Sequence, residues 1–123
     1  MLPLNVKKEQ SFFKGNPKFE QLMQIAGDKQ LSDQEELFLL NEIRNGNREL
    51  IDKLVESSEV VILEVIGQNQ PDYENLEQMI EVAKSTLRKL AENEINSSVR
   101  ERFFRFRAWH IQQAVLVLSA IKP

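Results

Sequence analysis

The chain has 123 residues, of which 41% are hydrophobic, so it is long enough for one domain with a core and too short for two. It has no cysteine, which excludes disulfides and thiolate metal sites and fits a reducing cytoplasm, where we expect the protein to act. No run approaches the roughly 20 apolar residues that span a bilayer, and the N-terminus does not resemble a secretory signal, so no membrane partner is expected.

The net charge of −3 is distributed unevenly along the chain. Residues 1–27 carry a net charge of +2, residues 28–94 carry −9, and residues 95–123 carry +4. An acidic middle followed by a basic C-terminal segment indicates two surfaces with different partners. The alternative is that both charge runs are simply solvated faces.

Start and stop signals predict an all-α bundle of about five helices in one domain, residues 16–123, behind a flexible N-terminal arm, residues 1–15. For the first helix, Asn16 is a plausible N-cap, Pro17 suits the first helical position, and Gly27 is a plausible stop.

The second helix is predicted to begin at Ser32, with Glu35 completing a capping box, and to end at Asn45-Gly46. Its predicted buried side consists of Leu37, Phe38, Leu39, Leu40 and Ile43. The third helix is predicted to run from residue 47 to residue 67, because apolar residues recur there at helical spacing.

The fourth helix is predicted to be capped by Asp72, and a short connector over residues 94–97 leads to a fifth helix. Ser98 and Glu101 form a second possible capping box, and this helix is expected to reach Ile121. The apolar positions of the fourth helix are Tyr73, Leu76, Met79, Ile80, Ala83, Leu87 and Leu90.

The fifth helix holds the densest aromatic cluster of the chain, with the single Trp, the single His and three of the seven Phe. At 100° per residue, one arc is predicted to face the core, namely Phe103, Phe104, Ala108, Ile111, Ala114, Val115, Leu118 and Ile121. The opposite arc contains Arg102, Arg105, Trp109, Gln112, Gln113 and Leu116, with Phe106 at its border. Arg and aromatic side chains can hold phosphates and stack on bases, and Gln can pair with adenine.

That outer arc therefore predicts a nucleic-acid interface. The simpler interpretation is an amphipathic core helix with solvated arginines. The apolar end of the helix, residues 115–118, could cover either a partner or the chain's own core. His110 lies near the edge of the core arc, where a packed histidine is a more common arrangement than a ligand.

Several motifs along the chain resemble regions 1.2 to 2 of bacterial RNA polymerase sigma factors. The stretches at residues 31–36, 43–48 and 54–56 follow the family's entry, an acidic capped helix and an I-x-x-G-(D/N) turn. Residues 103–115 resemble the family's F-S-T-Y-A-x-W-W-I-R-Q-A-I without gaps. The resemblance covers about three quarters of the chain and implies the sigma region 2 fold, with neither region 3 nor region 4.

In that family, the matching helix reads the minus-ten promoter element and holds melted, single-stranded bases. The resemblance therefore implies DNA-facing roles for Phe106, Trp109, His110 and Gln113. The preceding helix of the family docks on the clamp helices of core RNA polymerase, which implies contacts from Gln78, Glu81 and Lys84. An anti-sigma-like regulator is a further partner that the resemblance suggests.

The sequence departs from the family at several positions. The second Trp of the family pair is His110, and the Arg before the reading Gln is Gln112. Arg105 and Arg107 are additional charges that could compensate for the lost phosphate contact. The alternative to promoter reading is a helical protein-interaction or regulatory domain on a sigma-like scaffold.

The sequence predicts a binding protein that is not an enzyme and needs no cofactor or metal. One histidine and no cysteine remove most nucleophile–base pairs. No phosphate-binding glycine loop, His-Glu metal pattern or nucleotide fingerprint occurs.

Overall fold

The computed structural model describes residues 17–69, 75–95 and 102–121, without the side chains of Asn69, Arg102 and residues 119–121. These residues form helices and no strand, which confirms the all-α prediction. The six α-helices are α1 (Pro17–Lys29), α2 (Asp33–Arg44), α3 (Ile51–Ser57), α4 (Glu59–Asn69), α5 (Leu76–Glu92) and α6 (Arg102–Ile121), with a 3-10 turn at Arg48–Leu50. Within this part of the chain, no helix is long and apolar enough to cross a bilayer.

The bounds of α2 are those that the sequence predicts. Ser32 Oγ accepts a hydrogen bond from the Glu35 backbone N–H at 3.1 Å, and Glu35 Oε1 accepts one from the Ser32 N–H at 2.9 Å. The second of these bonds lowers the pKa of the Glu35 carboxyl, because it favours the ionised form. At the other end the chain reverses through Gly46, whose φ of +104° suits glycine alone.

Helix α1 begins at Pro17 as predicted but continues past Gly27 to Lys29, so the predicted stop is wrong. A glycine inside a helix costs only about 1 kcal/mol relative to alanine, which tertiary contacts can outweigh. Here the two extra residues carry Lys29 to Glu59, with Nζ to Oε1 at 2.9 Å. Asn16, the predicted cap, lies outside the described residues.

The single helix predicted over residues 47–67 is two helices, α3 and α4, separated at Ser58. The Ser58 N–H donates to the Val55 carbonyl at 3.0 Å, which tightens the chain into a turn. Ser58 Oγ donates a hydrogen bond to the Leu54 carbonyl at 3.0 Å. Serine hydroxyls that bond to a preceding carbonyl bend helices, which explains the break.

All six α-helices contribute to the core, and its fully buried side chains include Phe19, Leu40, Ile43, Leu54, Ile62, Ile66, Leu87, Phe103 and Ile111. Along α5 the predicted positions Leu76, Met79, Ala83, Leu87 and Leu90 are buried, and Ile80 is half-buried. Tyr73, Asp72, Ser98 and Glu101 lie outside the described residues.

Two residues of α2 that were predicted to be buried are exposed, Leu37 by 37% and Phe38 by 62%. Glu36 is buried on that helix instead. On an ideal helix Glu36 lies about 40° from Leu40, whereas Phe38 lies about 160° away. Spacing from the buried Leu40 therefore accounts for Glu36 and Phe38. Leu37 lies about 60° from Leu40 on the side away from the buried Glu36, Leu39 and Ile43, at the margin of the buried arc.

Glu94, expected in a connector, is fully buried. Its Oε1 accepts a hydrogen bond from Arg44 Nη1 at 3.2 Å, and its Oε2 accepts one from the Phe103 backbone N–H at 2.8 Å. A carboxylate beside the first N–H groups of a helix is stabilised by the helix dipole, and Arg44 offsets its burial. Glu94 thus fixes the start of α6 against the ends of α2 and α5.

Glu59, at the start of α4, accepts hydrogen bonds from two lysines of other helices. Lys84 Nζ lies 2.7 Å from Oε2 and Lys29 Nζ lies 2.9 Å from Oε1. Partial burial raises the pKa of Glu59, but the bonds from Lys84 and Lys29 outweigh it, so the pKa lies below its ordinary value. This carboxylate joins α1, α4 and α5.

The lowered pKa of Glu59 predicts a defined acid dependence of stability. Stabilisation by ionised Glu59 is complete above its unfolded-state pKa, near 4.5, and is lost as the pH falls through the lower folded-state value. We expect wild type to exceed Glu59→Gln in free energy of unfolding at pH 7, and the difference to shrink below about pH 4.5. Urea denaturation over pH 3–7 measures it, and a gap that widens on acidification would contradict the assignment.

Candidate nucleic-acid interface

The orientation of α6 is set by Arg107, which points into the bundle. Its Nη1 donates to Glu36 Oε2 at 3.1 Å and to Ser58 Oγ at 3.0 Å, and the side chains of Arg107 and Glu36 are 17% and 7% exposed. Ser57 Oγ adds a hydrogen bond to the same carboxylate oxygen at 2.7 Å. The guanidinium also lies 5.7 and 5.3 Å from the ring centroids of Phe103 and Phe104.

Arg107 therefore cannot compensate for a lost phosphate contact as the sequence suggested, because its charge is neutralised inside the bundle. The long-range partner Glu36, 71 residues away, decides this, and no local pattern in α6 reveals it. On the helix, Phe103 and Ile111 lie about 40° to either side of Arg107, so the arginine occupies the centre of the inward face.

The rest of the inward face follows the predicted core arc except at Ala108; the side chain of Ile121, the last predicted position, lies outside the described part of the chain. Phe103, Ile111 and Val115 are buried, and Phe104, Ala114 and Leu118 are half-buried, as expected for that arc. Ala108 was predicted to face the core but is exposed. It lies about 100° from Arg107, at the margin of the arc, which explains the error.

The opposite side of α6 carries the exposed residues Arg105, Phe106, Trp109, Gln113 and Leu116, which we call the outer face of α6. Trp109 is 55% exposed, Leu116 is 43% exposed and Phe106 is 37% exposed. Residues 102–121 contain no acidic residue. Aromatic rings open to solvent beside a cation and an amide are the groups that bind unpaired bases.

The other predicted DNA contacts are less exposed to solvent or lie outside the described side chains. His110 is half-buried and meets the Trp109 ring edge-on, with centroids 5.1 Å apart. Gln112 is also half-buried. Arg102 begins α6, and its side chain lies outside the described part of the chain. The structure therefore brings Arg105, Phe106, Trp109 and Gln113 together, with His110 and Gln112 beside them.

The positive charge available on the described part of α6 is small. Arg105 is exposed, and no ion pair joins it to another described side chain, whereas Arg107 is paired with Glu36. Because attraction to phosphates scales with the number of cations that meet them, binding through this face depends mainly on stacking.

The three predicted polymerase contacts on α5 differ in accessibility. Gln78 and Glu81 are exposed, one turn apart. Lys84 is only 21% exposed in its side chain and binds Glu59 at 2.7 Å. The first two are open to a protein partner, whereas Lys84 is largely covered and its bond to Glu59 joins α4 to α5.

Sequence reasoning missed a groove between α2 and α6, where the exposed Leu37 lies near Phe104. The groove is lined by Asp33, Glu36, Leu37, Phe104 and Arg107. The helical spacing of Glu36 relative to Leu40 was the signal that could have indicated a buried charge, and hence a partner cation on another helix. Among the described residues, no cluster of three or more His, Asp or Glu side chains could hold a metal ion.

Two arginines of α6 allow a matched test of this geometry. Arg107→Met leaves Glu36 buried without its cation, which we expect to lower the free energy of unfolding by about 3–5 kcal/mol. Arg105→Met removes an exposed charge and should change it by less than about 0.5 kcal/mol. Urea denaturation compares the two variants.

A double variant distinguishes two causes of the expected loss of stability, namely the missing ion pair and the buried Glu36 carboxylate that is left without a partner. Adding Glu36→Leu to Arg107→Met removes the stranded carboxylate, so the double variant should regain part of the lost stability. Equal effects of Arg107→Met and Arg105→Met would show that Arg107 does not point inward.

No protein-family model, curated protein or solved structure matches this chain. The likeness to sigma region 2 rests on the motifs of the sequence, above all on residues 103–115.

Proposed function

We propose that this protein is a cytoplasmic, non-enzymatic transcription module, similar to sigma region 2, that binds single-stranded promoter DNA with the outer face of α6 and core RNA polymerase with α5. The observation that carries the proposal is the exposure of Trp109 between Arg105, Phe106 and Gln113 on one acid-free helix face. More than half of this tryptophan is open to solvent and it is not part of the core, which favours a role in binding.

Four of the five exposed side chains of the outer face have a task in DNA binding. Trp109 and Phe106 lie one turn apart and present apolar rings on which bases can stack. Gln113 lies one turn beyond Trp109 and offers an amide that can pair with adenine. Arg105 supplies a positive charge for the backbone phosphates. Stacking carries most of the expected affinity, since few cations contribute.

Polymerase docking has narrower support. Gln78 and Glu81 are exposed on α5 and could contact the clamp helices of the polymerase. Lys84 is only 21% exposed and lines a cleft beside Glu59, so we restrict the docking surface for a protein partner to the other two residues.

A second candidate is a protein-interaction domain that does not read DNA, with polymerase or an anti-sigma-like regulator as its partner. It is favoured by the C-terminal half of α6, where Leu116 is 43% exposed and Val117 is 58% exposed. Apolar side chains in the open are typical of protein contacts. Because Arg107 is paired with Glu36 inside the bundle, its charge is not available to attract DNA, which also favours this candidate.

Fluorescence anisotropy of a labelled T/A-rich single strand at low salt tests the proposal, with and without core polymerase. We expect wild type to bind and Trp109→Ala to lose about 1–3 kcal/mol of binding free energy. Phe38→Ala is the matched control, because Phe38 is an exposed aromatic residue on α2, outside the outer face. It should leave the affinity unchanged.

The salt dependence of the affinity for the single strand tests the role of Arg105. Arg105→Gln should reduce the slope of log affinity against log salt by about 0.7, as expected for one lost phosphate contact to a single strand. If wild type binds no single strand with or without polymerase, or if Trp109→Ala and Phe38→Ala behave alike, promoter reading fails. Binding to polymerase without DNA would then favour the second candidate.

A further inference from the structure

A cleft between α1, α4 and α5 combines apolar walls with two lysines. Its volume is about 200 Å³. The lining consists of Leu22, Ile25 and Lys29 from α1, Glu59, Ile62 and Leu63 from α4, and Ile80 and Lys84 from α5. It shares no residue with the outer face of α6.

The apolar walls of this cleft can contact a nonpolar group of a ligand. Ile62 and Leu63 are buried at 0% and 3% exposure, whereas Ile25 is 46% exposed. Leu22 and Ile80 are half-buried. Binding sites for small molecules are typically concave and mostly apolar, with a few polar groups that fix the orientation of the ligand.

The charged part of the cleft has an excess of one positive charge. Lys29 and Lys84 both bind Glu59, at 2.9 and 2.7 Å, so two cations share one carboxylate. An ammonium group has three N–H donors, and these bonds use one from each lysine. The lysine side chains are 39% and 21% exposed, which leaves their remaining donors within reach of a ligand.

We propose that this cleft binds a small amphiphilic monocarboxylate, with its carboxylate between Lys29 and Lys84 and its apolar body against Ile25 and Ile80. Charge-assisted hydrogen bonds from both ammonium groups would hold the carboxylate. Ligand carboxylate and Glu59 would then alternate with the two lysines, so that every negative group faces positive ones.

A single negative charge fits this site better than a double one. The lowered pKa of Glu59 keeps this carboxylate ionised at neutral pH, so the lysine–glutamate triad has a net charge of +1. A monoanion brings the cleft to neutrality, whereas a phosphate dianion would leave excess negative charge beside Glu59. A neutral ligand would leave the free donors of both lysines unpaired.

Isothermal titration calorimetry at pH 7 and low salt tests the site with octanoate, and with 1-octanol as the matched uncharged probe. We expect octanoate to bind at least about tenfold more tightly than octanol, because charge-assisted bonds add more than one factor of ten. Lys84→Met should weaken octanoate binding about tenfold for the same reason. Lys89→Met is the matched control on α5 and should have no effect, since Lys89 is exposed and does not line the cleft.

Glu59→Gln distinguishes a ligand site from a purely structural triad. It keeps both lysines and raises the local charge to +2, so octanoate should bind more tightly than it does to wild type. Circular dichroism establishes that each variant is folded before titration. The proposal is overturned if octanoate and octanol bind equally, if Lys84→Met and Lys89→Met behave alike, if Glu59→Gln weakens binding, or if neither wild type nor Glu59→Gln binds octanoate.

Discussion

The ion pair between Glu36 and Arg107 is the contact on which the functional geometry depends. Charges removed from water are stable only when they are paired and hydrogen-bonded, and here Ser57 and Ser58 supply the additional bonds. The pair fixes the rotation of α6 about its own axis. With Arg107 directed inward, Trp109 lies about 160° away and must face solvent.

A second buried carboxylate, Glu94, and a partly buried one, Glu59, follow the same arrangement. Glu94 receives bonds from Arg44 and from the first turn of α6, and Glu59 receives bonds from Lys29 and Lys84. Each of the three joins three helices. The acidic middle of the chain is therefore not simply a solvated face or a partner surface, because part of its negative charge is internal and holds the helices together.

Local signals predicted much of the fold, whereas contacts distant in sequence decided most of the rest. The capping box at Ser32 and the apolar stripe of α5 follow from neighbouring residues, and both were predicted correctly. The inward position of Arg107 depends on contacts between helices that no local pattern contains. The break at Ser58 depends on local serine bonds, which the continuous helical spacing of the apolar residues concealed. On the candidate site, helical periodicity alone placed Arg105, Trp109 and Gln113 outward, but it could not show that the charge of Arg107 was already neutralised.

The exposure of the single tryptophan tests this geometry most directly, because Trp109 alone produces the tryptophan emission of the protein. Fluorescence of the folded wild type, with acrylamide as a collisional quencher, measures how open the ring is. An inward Arg107 predicts red-shifted emission, as in water, and efficient quenching without denaturant. Blue-shifted emission that resists acrylamide until the protein unfolds would contradict the orientation of α6 and remove the basis for its outer face as a binding surface.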